Sequence, residues 1–139
     1  MKTVVLDTNV LVAAIRSRNG ASFKLLSLVG TDSFELVVSV PLVFEYEYAM
    51  LKTAELCELD SSFVNDILDF VCASAKHQDI FFLWRPTLRD SSDDMVLEVA
   101  VASGADGIVT FNKRDFAKAD RFDLKIYSPG EFLKSEGLL

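Results

Sequence analysis

The sequence predicts an α/β protein, a three-layer α/β/α sandwich built around a central parallel β-sheet. The first observation is that short apolar runs alternate with amphipathic stretches along the whole chain. Such alternation implies right-handed crossovers and a sheet that is covered on both faces. The second is size and composition, because 139 residues, 50% of them hydrophobic, suffice for one domain with a substantial core. We therefore expect a single domain over residues 1–139.

The first half of the chain supplies two strands and three helices. Residues 3–6 and 34–38 are short apolar runs that predict strands, whereas residues 9–16 and 21–30 predict helices. A third helix begins near Ser39, which suits an N-cap, and Pro41 suits the first helical turn.

The second half continues the alternation. It predicts an amphipathic helix over 61–76 starting at Ser61 or Ser62, then an apolar strand over 79–84, a capped helix closed by Gly104, and strands over 107–110 and 123–127. A last helix begins at Ser128, which has Glu131 three residues later in capping-box spacing.

Charge and composition exclude several classes of protein. A net charge of −7 argues against a protein that coats nucleic acid with a basic surface. No apolar run approaches the ~18 residues of a membrane span, and no signal peptide is visible, so we expect no membrane association and a cytoplasmic location. Cys57 and Cys72 lack metal or redox spacing. The lone His77 has no evident nucleophile as a partner and predicts a structural role.

Nucleotide-binding and phosphotransfer motifs are missing. The chain has neither GxGxxG after its first strand nor GxxxxGK[ST]. Haloacid-dehalogenase-like phosphatases carry a second Asp two residues after the first, where this chain has Asn9. A response-regulator receiver would need a phosphoacceptor Asp at the end of its third strand, and "FFLWRP" offers none.

Acidic residues lie where the predicted strands end. Asp7 follows the first strand, and Glu45 lies early in the helix after the second. Three more acids, Asp90, Asp93 and Asp94, precede the fourth strand. Asn112 and the acidic Asp115 follow it. In a parallel sheet these segments open at one edge, where gathered carboxylates would repel one another unless cations neutralise them. Oxygen ligands suit Mg²⁺ or Mn²⁺ rather than zinc.

Each acid also has a purely structural interpretation. Asp7 can be a helix N-cap, and Glu45 can be a solvated helix residue or a favourable charge near a helix N-terminus. Asp93 and Asp94 can be a capping pair, and Asp115 can cap a short turn. Only their coincidence at one edge favours a metal site.

With these residues in view, the chain resembles the PIN-domain family, and more closely the VapC-type toxins of prokaryotic toxin–antitoxin systems. The resemblance is carried by "VVLDTNVLVAA", "VSVPLVFEYEYAML" and "DSSDDMVLEVAVASGADGIVTFNKRDF". It covers nearly the whole chain. One departure is Asn112, where many PIN domains carry Asp, so Asp115 is expected as the fourth carboxylate.

The resemblance implies a PIN-like fold and a Mg²⁺- or Mn²⁺-dependent ribonuclease that cuts single-stranded RNA. It implies that the catalytic, metal-binding residues are Asp7, Glu45, Asp94 and Asp115. Residues expected to support the site or touch substrate are Thr8, Asn9, Asp93, Thr110 and Asn112. Basic residues near the acids, which can equally form a solvated face, are candidate RNA contacts: Arg16, Arg18, Lys24, Lys113 and Arg114.

The same resemblance implies a cognate antitoxin and assembly as a homodimer or higher homo-oligomer. Two other classes stay open. A metal-dependent phosphatase of another α/β family would share the carboxylates at the strand ends. A non-catalytic PIN-like interaction module would share the fold. An internally labelled RNA separates these classes, because only the nuclease cuts within the strand.

Overall fold

The computed structural model describes residues 1–80 and 91–139. Most of the strand predicted over 79–84, and also Asp90, lie outside the described residues. Described residues 79 and 80 are not in a strand.

The described strands form one five-stranded sheet in the order β3-β2-β1-β4-β5, with every neighbouring pair parallel. The strands are β1 (Thr3–Leu6), β2 (Glu35–Val38), β3 (Lys76–His77), β4 (Gly107–Val109) and β5 (Lys125–Tyr127). Helices flank the sheet, so the predicted three-layer α/β/α architecture with a central parallel sheet is confirmed.

In the described residues, six α-helices connect or follow the strands. They are α1 (Thr8–Arg16), α2 (Ala21–Ser27), α3 (Val40–Leu56), α4 (Ser61–Ser74), α5 (Ser91–Ser103) and α6 (Pro129–Ser135). A run of 3-10 turns, Lys113–Phe122, lies between β4 and β5. No helix in residues 1–80 or 91–139 is long and apolar enough to cross a membrane.

The core is centred on β1. Val4, Val5 and Leu6 are fully buried, as are Ile108 and Val109 of the adjacent β4. Successive residues of a strand point to opposite faces, so three consecutive buried residues require helices on both sides of the sheet. This explains why these strands are continuous apolar runs.

Local capping signals place several helix ends correctly. Ser39 caps α3 by accepting a hydrogen bond from the Leu42 amide at 3.3 Å. Ser128 and Glu131 form the predicted capping box of α6. Gly104, with φ +66°, closes α5 in the left-handed conformation that glycine adopts freely.

The helix predicted over 61–76 begins at Ser61, as expected, but ends two residues early. Asp60 caps α4, accepting from the Ser62 amide at 3.0 Å. The helix ends at Ser74, and the chain becomes extended, so that residues 76–77 form β3 against β2. His77 therefore belongs to a strand and not to a helix end. Its Nε2 donates to the Cys72 carbonyl at 2.8 Å, which fits a structural role.

Candidate functional site

The strand order changes direction beside β1. From β1 the chain moves outward to β2 and β3 on one side, then returns to β4 and β5 on the other. In open parallel sheets, ligands bind in the crevice at the carboxyl ends of the strands where the order reverses. The residues that follow β1 and β4, Asp7 and Thr110, are placed at this crevice.

Hydrogen bonds to the start of α1 and to the end of β4 and the residue after it hold Asp7 at this point. Its side chain is 6% exposed. One carboxylate oxygen, Oδ1, accepts from the Thr8 amide at 2.8 Å, and the other, Oδ2, accepts from the Thr110 hydroxyl at 2.7 Å. The Asp7 amide donates to the Val109 carbonyl at 2.9 Å. Asp7 is thus the N-cap of α1, and its carboxylate is also fixed in orientation from β4.

The Thr110 hydroxyl joins the start of α1 to the loop after β4. Thr110 is fully buried. Besides donating to Asp7, its hydroxyl accepts from the Asn112 amide at 2.9 Å and from Asn9 Nδ2 at 3.4 Å. The Asn9 side-chain oxygen in turn accepts from the Phe111 amide at 3.3 Å. One donor and two accepted bonds use the full capacity of a hydroxyl.

Tyr46 connects α3 to the end of β1. Its ring is fully buried, and its hydroxyl donates to the Leu6 carbonyl, one residue before Asp7. Burial, and secondarily the charge of Asp7, raise the pKa of Tyr46 well above its ordinary value, so the phenol stays a neutral donor. Glu45 is adjacent in sequence and half-buried.

Helix α5 carries three acids near the same edge. Asp93 and Asp94 lie in its first turn; Asp93 is half-buried and Asp94 is 2% exposed. Glu98, one turn further on, is 4% exposed. Residues four apart share a helix face, so Asp94 and Glu98 are both turned into the protein. Sequence reasoning missed Glu98, although an acid between Leu97 and Val99, four residues after Asp94, is a signal of this arrangement.

Asp115 and Asn112 lie on the exposed side of the edge. Both side chains are exposed, and the Asp115 amide donates to the Asn112 carbonyl at 3.0 Å. Asp115 belongs to the first of the 3-10 turns.

Two of the basic candidates are engaged elsewhere. The Arg18 guanidinium stacks 4.6 Å from the centre of the Phe63 ring. Lys113 forms an exposed ion pair with Glu131 at 3.0 Å. The other three, Arg16, Lys24 and Arg114, are exposed.

A family model described as a PIN domain matches residues 3–114. This chain belongs to the PIN-domain family. PIN domains are generally nucleases, and such nucleases generally use divalent metal ions. No curated protein sequence matches the chain.

Among solved structures, this PIN domain is similar to a chain of the crystal structure of VapBC2 from Rickettsia felis bound to a DNA fragment from their promoter. The similarity covers 91% of this chain and 98% of that one, with a TM-score of 0.62 and 18% sequence identity. At this level of identity the similarity supports the fold.

The donor chemistry of the edge fits a hard divalent cation. Every acidic candidate offers only oxygen, the ligand that Mg²⁺ and Mn²⁺ prefer. Beside Asp7, the buried Thr8 hydroxyl oxygen has no hydrogen-bond partner among residues 1–80 and 91–139. Within that part of the chain, however, no three Asp, Glu, His or Cys side chains approach closely enough to hold a metal ion.

Proposed function

We propose that this PIN domain, extending over residues 1–139, is an endoribonuclease that cuts single-stranded RNA with Mg²⁺ or Mn²⁺. The observation that carries the proposal is the buried Asp7 carboxylate, which Thr8 and Thr110 hold at the point where the strand order reverses. The second donor, from Thr110 just after β4, fixes the direction in which the carboxylate points, as a metal ligand requires. Membership of a nuclease family gives this geometry its chemical interpretation.

We assign metal binding and catalysis to Asp7, Glu45, Asp94 and Asp115. Bound there, Mg²⁺ or Mn²⁺ supplies a water of lowered pKa and a positive clamp on the scissile phosphate. Asp7 presents a carboxylate of fixed orientation. Asp94 adds a buried carboxylate from the start of α5, Glu45 binds a metal or orients the attacking water, and the exposed Asp115 contributes from the solvent side.

Neighbouring polar residues are proposed to hold the four acids in position. The Thr110 hydroxyl bonds to the Asp7 carboxylate, to the Asn9 side chain and to the Asn112 amide. Thr8 and Asp93 are next to Asp7 and Asp94 in the sequence. RNA contacts are assigned to four of the five basic candidates, Arg16, Arg18, Lys113 and Arg114. Of these, Arg18 and Lys113 reach a phosphate only by leaving their present partners.

The test compares the wild type with Asp94→Asn on an internally labelled single-stranded RNA. We expect cleavage that requires Mg²⁺ or Mn²⁺, stops with EDTA, and falls at least ~100-fold in the variant, because losing even an outer partner of a metal ligand commonly costs about 10–100-fold. Asp66→Asn, an exposed residue of α4, is the matched control and should keep the wild-type rate.

Four outcomes contradict the proposal. Cleavage that survives exhaustive chelation excludes the metal mechanism, and a near-normal rate in Asp94→Asn shows that the site is misplaced. Release of terminal phosphate alone identifies a phosphatase, while wild-type protein that folds but leaves RNA intact identifies a non-catalytic interaction module.

We further propose that the protein is the toxin of a toxin–antitoxin pair and forms a homodimer or higher homo-oligomer. The fold similarity to a chain of VapBC2 supports the pairing. An antitoxin arginine would suit the acidic crevice, since guanidinium and carboxylate pair in bidentate fashion. Co-expression with the product of the neighbouring reading frame should give co-purification and inhibition of cleavage. Light scattering on the isolated chain tests the oligomer, and a monomer refutes it.

A further inference from the structure

Phe111 presents an aromatic ring to solvent at the candidate site. Its side chain is 51% exposed, although the residue before it, Thr110, is fully buried. Its amide is held by Asn9, and the next amide, that of Asn112, is held by Thr110. Hydrogen bonds therefore fix the backbone of Phe111 and of the next residue, while about half of the Phe111 side chain stays exposed to solvent.

The position of this ring distinguishes it from an ordinary exposed hydrophobic residue. Single exposed apolar side chains are common on protein surfaces and need no explanation. Phe111, however, comes one residue after the hydroxyl that orients Asp7. Its amide bonds to the side chain of Asn9, which also bonds to the Thr110 hydroxyl, so Phe111 belongs to the hydrogen-bonded cluster around Asp7.

The negative charge of the protein favours a second source of RNA affinity. The net charge is −7, and two of the basic candidates near the acids are engaged with Phe63 and Glu131. Arg16, Lys24 and Arg114 are the exposed basic candidates that remain to replace the counterions of phosphate groups, which is the usual electrostatic source of affinity. Stacking of bases on aromatic rings supplies affinity without positive charge and tolerates any base.

We propose that Phe111 is a stacking platform for an unpaired base of the RNA, next to the bond that is cut. The inference rests on the proposed ribonuclease function and deepens it by giving a reason for single-stranded substrates. A base within a duplex has both faces covered by its neighbours, so only an unpaired base can swing onto the ring.

The experiment measures binding apart from cleavage. A fluorescent ten-nucleotide adenylate carrying one central 2-aminopurine is titrated with protein in EDTA at low salt. Phe111→Ala should weaken binding by at least about 5-fold, the lower end of the contribution of one stacked base. Phe111→Tyr retains a π-face and should bind like the wild type. The wild type and the tyrosine variant should quench 2-aminopurine, whereas the alanine variant should not.

Phe70→Ala is the matched control. Phe70 is another exposed phenylalanine, at 42%, and lies near the end of α4. The C-terminus of that helix leads into the amino end of β3, whereas Asp7 follows the carboxyl end of β1. Its loss should leave RNA binding and quenching unchanged. Thermal unfolding of all variants verifies that each is folded.

The stacking inference is overturned if Phe111→Ala binds the adenylate as the wild type does, or if Phe70→Ala loses as much affinity. Its failure can be distinguished from failure of the ribonuclease proposal. Wild-type protein that cuts RNA with Mn²⁺, while Phe111→Ala matches its affinity and quenching, refutes stacking alone. Wild-type protein that binds and quenches but cuts nothing refutes the nuclease alone.

Discussion

Replacing Thr110 with valine tests whether the hydrogen-bond network orients Asp7 for metal binding. Valine keeps the shape of the buried side chain but removes the hydroxyl that donates to Asp7 and accepts from Asn112. Removing one hydrogen-bond donor from a buried carboxylate costs about 1–3 kcal/mol. For a domain of this size, that loss lowers the melting temperature by roughly 3–10 °C.

A loss of stability alone would fit a purely structural role, so the decisive measurement is metal affinity. We expect Thr110→Val to bind Mn²⁺ about 10–100-fold more weakly in calorimetry, the range found when a metal ligand loses its supporting partner. Thr110→Ser is the control, because it keeps the hydroxyl and loses only a methyl group, at a cost of about 1 kcal/mol of stability.

Equal Mn²⁺ affinity in the two variants would refute the reasoning, since the hydroxyl would then hold Asp7 only as a helix cap. Wild-type protein that binds no Mn²⁺ would remove the metal site itself.

Three further predictions follow from the structure. Mn²⁺ should raise the melting temperature of the wild type in proportion to the logarithm of its concentration, because it binds only the folded state; a scanning calorimeter that shows no shift contradicts this. The raised pKa of Tyr46 gives stability that is complete below about pH 10 and is lost as pH rises above it, because the unfolded chain ionises first. Urea midpoints should therefore fall in alkali for the wild type and less for Tyr46→Phe, and equal alkaline slopes would contradict the assignment. The Ser128 amide and then Lys113 lower the pKa of Glu131, giving stability that is present above the ordinary carboxyl pKa and lost as pH falls through the lowered value. Glu131→Gln should flatten the acid side of the urea-midpoint profile, and an unchanged profile would count against this role.

Local signals in the sequence were sufficient for much of the fold. The apolar run before Asp7 and the capping residues Ser39 and Ser128 act through their immediate neighbours, so pattern alone identifies them. β3 could not be predicted in this way. It has two residues, both exposed and one of them Lys76, and it exists only because β2 offers free backbone groups for pairing.

Some features of the candidate site can likewise be predicted from local sequence patterns, and others depend on tertiary packing. Acids that follow strands are visible in sequence, because a parallel sheet brings strand ends to one edge. Which side chain of α3 turns inward is decided by packing: among the aromatic residues near Glu45, Tyr46 is buried and Phe44 is exposed. The hydrogen bond from Thr110 to Asp7 joins residues 103 apart in the chain, and no local pattern records such a pairing. Burial of Glu98 depends in the same way on what α5 packs against.

The double engagement of Asp7 has an evolutionary consequence. Because its carboxylate begins α1 as well as facing the crevice, a descendant that lost nuclease activity would still gain stability from keeping an aspartate there. Asp115 is exposed, and the hydrogen bond described for it uses its backbone amide. Loss of activity would therefore leave little stability to be gained from keeping an acid at that position. Under the proposed catalytic assignment, inactive relatives should therefore lose the acid after β4 before they lose the acid after β1, and an intact acid after β4 should be the better marker of activity.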